Sequence, residues 1–174
     1  HWWFLARRRI VRELLRRVVP PAKEARVVDV GCGTGANVAA LAGDYACVGI
    51  DASPDAIALA QARFPAARFP KLRFAEEASP ENARAELAQA SAVLLMDVLE
   101  HVEDDFLMFS RIASVLRPGA HLLVTVPADM SLWSPHDESF GHYRRYDRDR
   151  LLCVWEGLPV TTRLVSYFNA RLLP

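Results

Sequence analysis

The strongest constraint on the fold is a glycine-rich turn between a short apolar strand and a helix. The strand VVDV, residues 27–30, runs directly into GCGTG, which places Gly31, Gly33 and Gly35 at the turn. Glycine lets a backbone turn tightly and approach a ligand closely, and the N-terminus of the following helix supplies unpaired N–H groups. The turn therefore predicts a nucleotide-type ligand at the end of the first strand. A strand-to-helix turn without a ligand is the alternative.

Downstream of this turn, short apolar segments alternate with segments of helical spacing. Strand character is found at 26–30, 47–50, 72–74, 92–96 and 121–126, and helical character at 35–42, 54–64, 81–90 and 104–116. This alternation is typical of a parallel sheet covered by helices on both faces. The sequence predicts an α/β fold with a doubly wound, mostly parallel sheet. We expect one domain over residues 1–174, with its ligand-binding core at 26–127.

After Pro127 the regular pattern stops for about twenty residues, before a short helix at 148–155 and a last strand at 162–168. Loops of this length inside a compact domain are usually functional or mobile. Residues 128–147 combine aromatic side chains such as Trp133 with histidine, acidic and arginine side chains. We expect this segment to be a lid over a polar substrate.

Composition narrows the class of protein. The 174 residues are 52% hydrophobic, which suits one globular domain, and no apolar run reaches the ~18 residues of a membrane span. Formal net charge is zero, so a generic nucleic-acid binder is not expected. Three cysteines without a CxxC pair predict core thiols and a reducing, cytoplasmic location.

The zero net charge is a sum of uneven parts. Residues 1–23 hold seven basic side chains against Glu13, whereas residues 75–105 hold nine acidic side chains against Arg84. Residues 1–21 have the spacing of an amphipathic, arginine-rich helix. Such a helix either packs on its own domain as a cover over the ligand cleft or lies peripherally on an anionic membrane surface.

A carboxylate at the end of the second strand leaves two interpretations open. Asp51 follows Gly31 by twenty residues, where it can accept hydrogen bonds from ribose hydroxyls. The glycines fit a dinucleotide fingerprint when read with Ala36, and a different cofactor when read as GxGxG behind Asp29. An NAD-type oxidoreductase is therefore one hypothesis, although the chain has no evident Tyr-x-x-x-Lys pair. A non-catalytic cofactor-binding module is another.

Four motifs in order over residues 26–127 resemble the class I S-adenosylmethionine-dependent methyltransferases, in particular the type-11 small-molecule group. They are VVDVGCGTG, GID, LLMDVLEHVEDD and LRPGAHLLVTVP. The segment HDESFGHYRRYDRDRL and the N-terminus HWWFLARRR are similar to some uncharacterised bacterial members. The resemblance implies a Rossmann-like sheet of seven strands with an antiparallel final hairpin. We expect this chain to lack the last strand and the gene product to extend further.

The resemblance also implies a cofactor site for S-adenosylmethionine. Asp29 and the backbone of the Gly31, Cys32, Gly33 and Gly35 turn would hold the amino-acid part, and Asp51 the ribose, with Ala52 beside the adenine. Either Glu76 or Glu77 would bind the adenine amino group. Asp97 would face the methionine portion, with Val98, Leu99 and His101 lining the site; a helix-capping carboxylate is the alternative for Asp97.

The resemblance implies methyl transfer to a small-molecule acceptor, with S-adenosylhomocysteine as product. Because a sulfonium is already an activated leaving group, a dedicated base is optional. His101 is the first candidate for a general base and His142 the second. Tyr143 and His136 are candidates for orienting the acceptor.

Two further predictions concern charge. Arg144 and Arg145 could bind an anionic acceptor such as a sugar phosphate, nucleotide-linked sugar or lipid head group, because the guanidinium fork matches phosphate. Ion pairing within the domain is the equal alternative. Metal binding is not predicted, because His136, Asp137 and Glu138 lack a spaced partner set such as HExxH.

Overall fold

The computed structural model describes the backbone of residues 2–66, 72–76 and 80–168, and the side chains of 5–66, 73 and 83–168. Within these residues the fold is built on a five-stranded, fully parallel sheet of order β3-β2-β1-β4-β5. The strands are β1 Arg26–Val30, β2 Ala46–Asp51, β3 Leu72–Glu76, β4 Ala92–Met96 and β5 His121–Thr125. The predicted doubly wound α/β architecture is confirmed.

The first five of the described helices alternate with these strands as the sequence pattern predicts, and two more follow β5. These helices are α1 Trp2–Val18, α2 Ala36–Ala39, α3 Pro54–Arg63, α4 Pro80–Ala88, α5 Asp105–Val115, α6 Pro135–Ser139 and α7 Arg148–Cys153. Ser53 caps α3 by accepting a hydrogen bond from Ala56 N at 3.2 Å, and Pro54 occupies the first turn. Local capping therefore starts α3 where the sequence predicts it.

The chain forms two compact units. The first contains residues 1–98 and 115–125, and the second contains 99–114 and 126–174. The whole sheet belongs to the first unit, and its central strands β1 and β4 are buried almost throughout. Burial on both faces explains why these strands read as continuous apolar runs rather than as alternating patterns.

Helix α1 packs on the core of the first unit. Val11, Leu15 and Val19 are buried in one cluster with sheet residues, and Tyr45 Oη donates a 2.8 Å hydrogen bond to Val19 O. On the neighbouring face Arg12 and Arg16 pair with Asp44 at 2.9 and 3.0 Å. Part of the apolar face of this helix is thus buried inside its own unit, whereas Ile10 and Val18 are exposed. Membrane contact stays a prediction.

The second unit orders the segment expected to be an irregular loop. Between residues 128 and 147 lie a short 3₁₀ helix, Met130–Leu132, and helix α6, and Ala128 forms a parallel bridge with Tyr146. Most of this segment is therefore locally folded.

Three local predictions are wrong. Residues 162–168 form no strand. Helix α2 covers only Ala36–Ala39: Gly35 before it is left-handed, and residues 40–44 after it form turns. Cys153 is exposed, whereas Cys32 and Cys47 are buried as expected. In the part of the chain that is described, no helix combines the length and apolar character that crossing a membrane requires.

Candidate cofactor site and histidine cluster

The glycine turn after β1 has the conformation that its composition predicts. Gly31, Gly33 and Gly35 all have positive φ angles, of 72°, 52° and 76°. A Cβ atom on Gly31 would lie 2.6 Å from a methyl group of Val98, so a side chain at this position would displace Val98 and strain the backbone. The amides of Gly31 and Cys32 donate to Ile50 O at 2.8 and 3.0 Å, which anchors the turn to β2. The result is a rigid backbone cradle.

Asp51 connects this turn to the next one. Its two carboxylate oxygens accept hydrogen bonds from Gly33 N at 2.7 Å and from Ser53 N at 2.9 Å. Asp51 is half-buried, so lone pairs on both oxygens can also accept hydrogen bonds from a ligand. Ala52, the next residue, is exposed beside it. Each oxygen of the Asp51 side chain can thus accept a hydrogen bond from one of two ligand hydroxyl groups.

Asp29 is the most unusual group in the first unit. Its side chain is buried, and neither carboxylate oxygen has a hydrogen-bond partner among the described residues. Burial raises the pKa of Asp29 to about 7, with the Arg7 guanidinium opposing that rise and the Asp51 charge adding to it. A buried carboxylate without a partner is costly, so a cationic or hydrogen-donating ligand fits this position.

Asp97 follows β4 and carries a second charged contact. It has a positive φ of 57°, its Oδ1 accepts a 2.9 Å hydrogen bond from Thr125 Oγ1, and its Oδ2 forms an ion pair with Arg7 of α1. Val98, next in the chain, contacts the glycine turn. Asp97 is therefore held by strand β5 and helix α1, and its contacts are not those of a helix cap.

Of the two glutamates predicted to bind adenine, only Glu76 has a described backbone. Glu76 is the last residue of β3, and its backbone lies opposite Asp51 in the sheet register. The side chain of Glu76 and the whole of Glu77 lie outside the described residues. Both stay predictions for adenine binding.

A fully buried carboxylate organises residues 134–145 of the second unit. Asp137 accepts hydrogen bonds from Ser134 N and Oγ at 3.0 and 3.1 Å, and a two-point contact from Arg145 at 2.8 and 2.9 Å. His142 Nδ1 lies 2.9 Å from the same carboxylate. The Arg145 hydrogen bonds are the main reason that the pKa of Asp137 lies far below its usual range. Asp137 is therefore a permanent anion that only accepts hydrogen bonds.

That anion determines the form of His142. Because Asp137 accepts only, His142 Nδ1 must carry the proton of this contact, and in the neutral ring Nε2 keeps a lone pair. The ring of His101 stands edge-on to that of His142, with centroids 4.6 Å apart. Glu100, which is buried, places a carboxylate oxygen within 4.8 Å of ligating nitrogens from both rings. Two imidazoles and a carboxylate thus converge in the second unit.

Arg144 is occupied by contacts within the second unit. Its guanidinium donates to the carbonyl oxygens of Val102 and Glu103 at 2.7 and 2.6 Å and lies 3.3 Å from Asp105. Arg150 also contacts Asp105, at 2.5 Å. Binding of an anionic acceptor by Arg144 or Arg145 would have to compete with these internal contacts, and it stays a prediction.

The remaining predicted residues are near the surface. Tyr143 and His136 are exposed, and Tyr143 N donates to Glu100 O at 2.7 Å. Trp133 is half-buried and its Nε1 donates to Glu138 at 3.3 Å. Their roles toward an acceptor are untested predictions.

Sequence reasoning missed two residues of these sites. Arg7 enters the sequence prediction only as one of the seven basic side chains of residues 1–23, yet it precedes Val11 and Leu15 at the spacing of the apolar face and is only 12% exposed. That spacing was an available signal. Asp137 enters the sequence prediction only as one of three consecutive possible metal ligands, and its capping position after Ser134-Pro135 was the signal for local structure.

Taken together, the parallel sheet and the acid-lined glycine turn are the features of α/β domains that bind nucleotide-type cofactors at the carboxyl ends of their strands. Comparison with known families agrees: a family model described as a methyltransferase domain matches residues 3–173. The chain belongs to this methyltransferase domain family.

Individual relatives support the same family. The chain is 33% identical over 118 residues to the O-methyltransferase cnsE of Penicillium expansum, covering 67% of this chain and 42% of that protein. It is 35% identical over 127 residues to the trans-aconitate 2-methyltransferase of Methylobacterium nodulans, covering 71% and 46%. The chain therefore spans about half the length of the curated relatives it matches.

Solved structures show a shared fold. The CurJ carbon methyltransferase matches with a TM-score of 0.72 at 19% identity, over 95% of this chain and 51% of that chain. The phosphoethanolamine N-methyltransferase 2 of Haemonchus contortus, solved with S-adenosyl-L-methionine, matches with a TM-score of 0.66 at 21% identity, over 82% and 34%. The class I methyltransferase fold predicted from the motifs is confirmed.

Proposed function

We propose that this chain is the cofactor-binding and catalytic part of an S-adenosylmethionine-dependent methyltransferase acting on a small-molecule acceptor. The observation that carries the proposal is the buried Asp29 carboxylate, which has no hydrogen-bond partner among the described residues and lies just before the glycine turn. A dinucleotide would bring an anionic pyrophosphate to this acidic edge, whereas the amino-acid portion of S-adenosylmethionine brings an ammonium group. Opposite charge favours the second ligand.

The residues present fit this cofactor. Asp29 and the backbone of the glycine turn would hold its amino-acid portion, Asp51 its ribose hydroxyls, and Ala52 would lie beside the adenine. Asp97 and Val98 would line the methionine portion. Arg7, which pairs with Asp97, is a cation that could also pair with the carboxylate of the cofactor's amino-acid portion. When bound, S-adenosylmethionine supplies a methyl group on a sulfonium centre, which is activated for in-line displacement.

Proton removal from the acceptor falls to the histidines of the second unit. The sequence passes from Asp97 at the end of β4 to His101 within four residues, so the cofactor edge and the histidines are adjacent in the chain. His142 is suited to accept a proton at Nε2, because Asp137 holds its Nδ1 in the protonated form and stabilises the imidazolium. His101, in edge contact with His142, is the alternative base. Tyr143, His136 and Trp133 would orient the acceptor.

The proposal also covers the chemical class of the acceptor. The cnsE and trans-aconitate enzymes are named as an O-methyltransferase and as a methyltransferase of a carboxylic acid. An oxygen acceptor on an anionic small molecule is consistent with both. A cytoplasmic location and contact of α1 with a membrane surface stay predictions.

Titration calorimetry with S-adenosylhomocysteine and with NAD tests the cofactor. We expect stoichiometric binding of S-adenosylhomocysteine and none of NAD. Asp51→Ala should weaken binding at least tenfold, because two ribose hydrogen bonds to a charged acceptor are lost. Asp55→Ala, an exposed acid on α3, is the matched control and should bind normally. Binding of NAD alone would overturn the methyltransferase proposal in favour of an oxidoreductase.

A further inference from the structure

The second unit contains a cluster of three potential metal ligands that the sequence pattern did not connect. Glu100 and His101 lie in a short 3₁₀ helix directly after β4, and His142 lies about forty residues later. Their ligating atoms, one carboxylate oxygen and two imidazole nitrogens, all lie within 4.8 Å of one another. We propose that Glu100, His101 and His142 form a binding site for a divalent transition-metal ion of the zinc type.

The donor set suits such an ion. Two neutral imidazoles and one carboxylate are a recurrent set of protein ligands for zinc, with further positions left for water or a substrate oxygen. Magnesium and calcium prefer sets made of oxygen atoms. The ligand atoms around a single zinc ion lie closer to one another than 4.8 Å, so the three side chains would have to move together when the ion binds. The surface-exposed His101 ring allows the cluster to contract, because its rotation does not disturb a packed core.

An outer contact prepares His142 for this role. Metal-binding histidines commonly donate their second ring N–H to a carboxylate, which fixes the tautomer and the ring orientation. Asp137 supplies this carboxylate at 2.9 Å from His142 Nδ1, and Arg145 and Ser134 hold Asp137 in turn. The lone pair of His142 is therefore on Nε2, the atom available to a metal.

The backbone also holds the two ligand segments together. Tyr143 N, one residue after His142, donates a 2.7 Å hydrogen bond to Glu100 O. Arg144 donates to the carbonyls of Val102 and Glu103 immediately after the Glu100-His101 pair. The buried position of Glu100 places its negative charge away from water, where a bound cation offsets the cost of burial. The cluster is thus fixed by contacts on both sides.

A metal ion here changes how the acceptor loses its proton. With the ion bound, the nitrogen lone pairs of His101 and His142 would be engaged by the ion and could not accept the proton. The charge of the ion would lower the pKa of an acceptor hydroxyl bound to it, and the released proton would pass to solvent water. This role rests on the proposed methyltransferase function, whereas the metal site itself does not.

The test is zinc binding to the chain after chelator treatment, measured by titration calorimetry at neutral pH without added cofactor. We expect one zinc per chain, with affinity reduced on the order of a hundredfold in His142→Ala and in Glu100→Gln. His136→Ala removes an exposed histidine outside the cluster and should leave affinity unchanged. Cys153→Ser removes the exposed thiol and should also leave it unchanged.

A second measurement keeps the proposal testable if a ligand variant fails to fold. Cobalt bound to the unaltered chain should show visible ligand-field bands without a thiolate charge-transfer band, as nitrogen and oxygen ligands require. Absence of stoichiometric zinc binding, equal affinity in His142→Ala, or a thiolate band would each overturn the site. Binding of S-adenosylhomocysteine to metal-free protein is measured separately, so a failure of either proposal is distinguishable from a failure of the other.

Discussion

At the scale of single residues, the charge of Asp29 links stability to cofactor binding. In Asp29→Asn we expect greater stability at pH 8 and weaker binding of S-adenosylhomocysteine. Folding raises the pKa of Asp29 from 3.8 to about 7, so the free energy of unfolding falls as pH rises from about 4 to about 7. The variant lacks this loss, of roughly 4 kcal/mol for three pKa units. Urea unfolding against pH and calorimetry measure the two effects.

Asp55→Asn is the control for both the stability and the binding measurement, because Asp55 is exposed at the start of α3. It should change neither quantity strongly. A lower stability of Asp29→Asn than of the unaltered chain at pH 8 would contradict the raised pKa of Asp29. Unchanged cofactor affinity would remove Asp29 from the binding site.

The conformation of Gly31 is a second single-residue requirement. Gly31→Ala should destabilise the protein by about 1–3 kcal/mol, because the added methyl group would lie 2.6 Å from Val98 and φ is positive. Gly43→Ala is matched, since its Cβ would meet no atom within 4 Å and its φ is ordinary. Thermal unfolding measures both. Equal effects at the two positions would contradict the close approach at the turn.

At the scale of elements, α1 is an integral part of the first unit. Leu15→Ala should lower the free energy of unfolding by about 2–5 kcal/mol, because this side chain is fully buried against the sheet. Leu5→Ala on the same helix should cost little, since Leu5 is 63% exposed. Urea unfolding followed by circular dichroism separates the two. A small effect of Leu15→Ala would show that α1 is only loosely attached in solution.

The hydrogen bonds of Asp137 to Ser134, His142 and Arg145 hold α6 and the residues that follow it in place. Asp137→Asn should destabilise this part of the second unit by about 2–4 kcal/mol, because it leaves the half-buried Arg145 charge without its anion. Hydrogen exchange of residues 134–145 should accelerate in the variant. Asp149→Asn changes an exposed acid next to this region and should leave exchange rates as they are.

At the scale of the molecule, carboxylates paired with arginine determine how the free energy of unfolding falls at acidic pH. Burial pushes the pKa of Asp44 and of Asp105 upward, but hydrogen bonds from arginine outweigh it and hold both values below 3.8. Their contributions, with that of Asp137, are present above pH 4 and are lost as pH falls through the lowered values. Asp29 acts in the opposite direction between about pH 4 and 7.

The combined result is a stability maximum at about pH 5 rather than at the neutral pH where the formal net charge is zero. Urea midpoints measured from pH 3 to pH 9 locate this maximum. In Asp29→Asn the profile should stay level from about pH 5 to pH 8. A maximum at or above pH 7 in the unaltered chain would contradict the pKa of Asp29.

The sequence by itself determined the sheet, the turn and the family. Apolar runs buried on two faces, a Ser-Pro helix start at residue 53 and glycines that need positive φ are local signals, which is why the positions of the five sheet strands and of the glycine turn were predicted. The spacing of Asp29 and Asp51 around that turn follows from the strands themselves. These features depend on neighbours within a few residues along the chain.

Only the tertiary structure decided which distant charges meet. Arg7 reaches Asp97 across ninety residues, and His142 joins Glu100 and His101 across about forty. The failure of the predicted strand at 162–168 has the same origin, because a strand needs a hydrogen-bonded neighbour that composition alone does not supply. Side-chain pairing depends on how helices and loops pack in space, and no local periodicity encodes that contact.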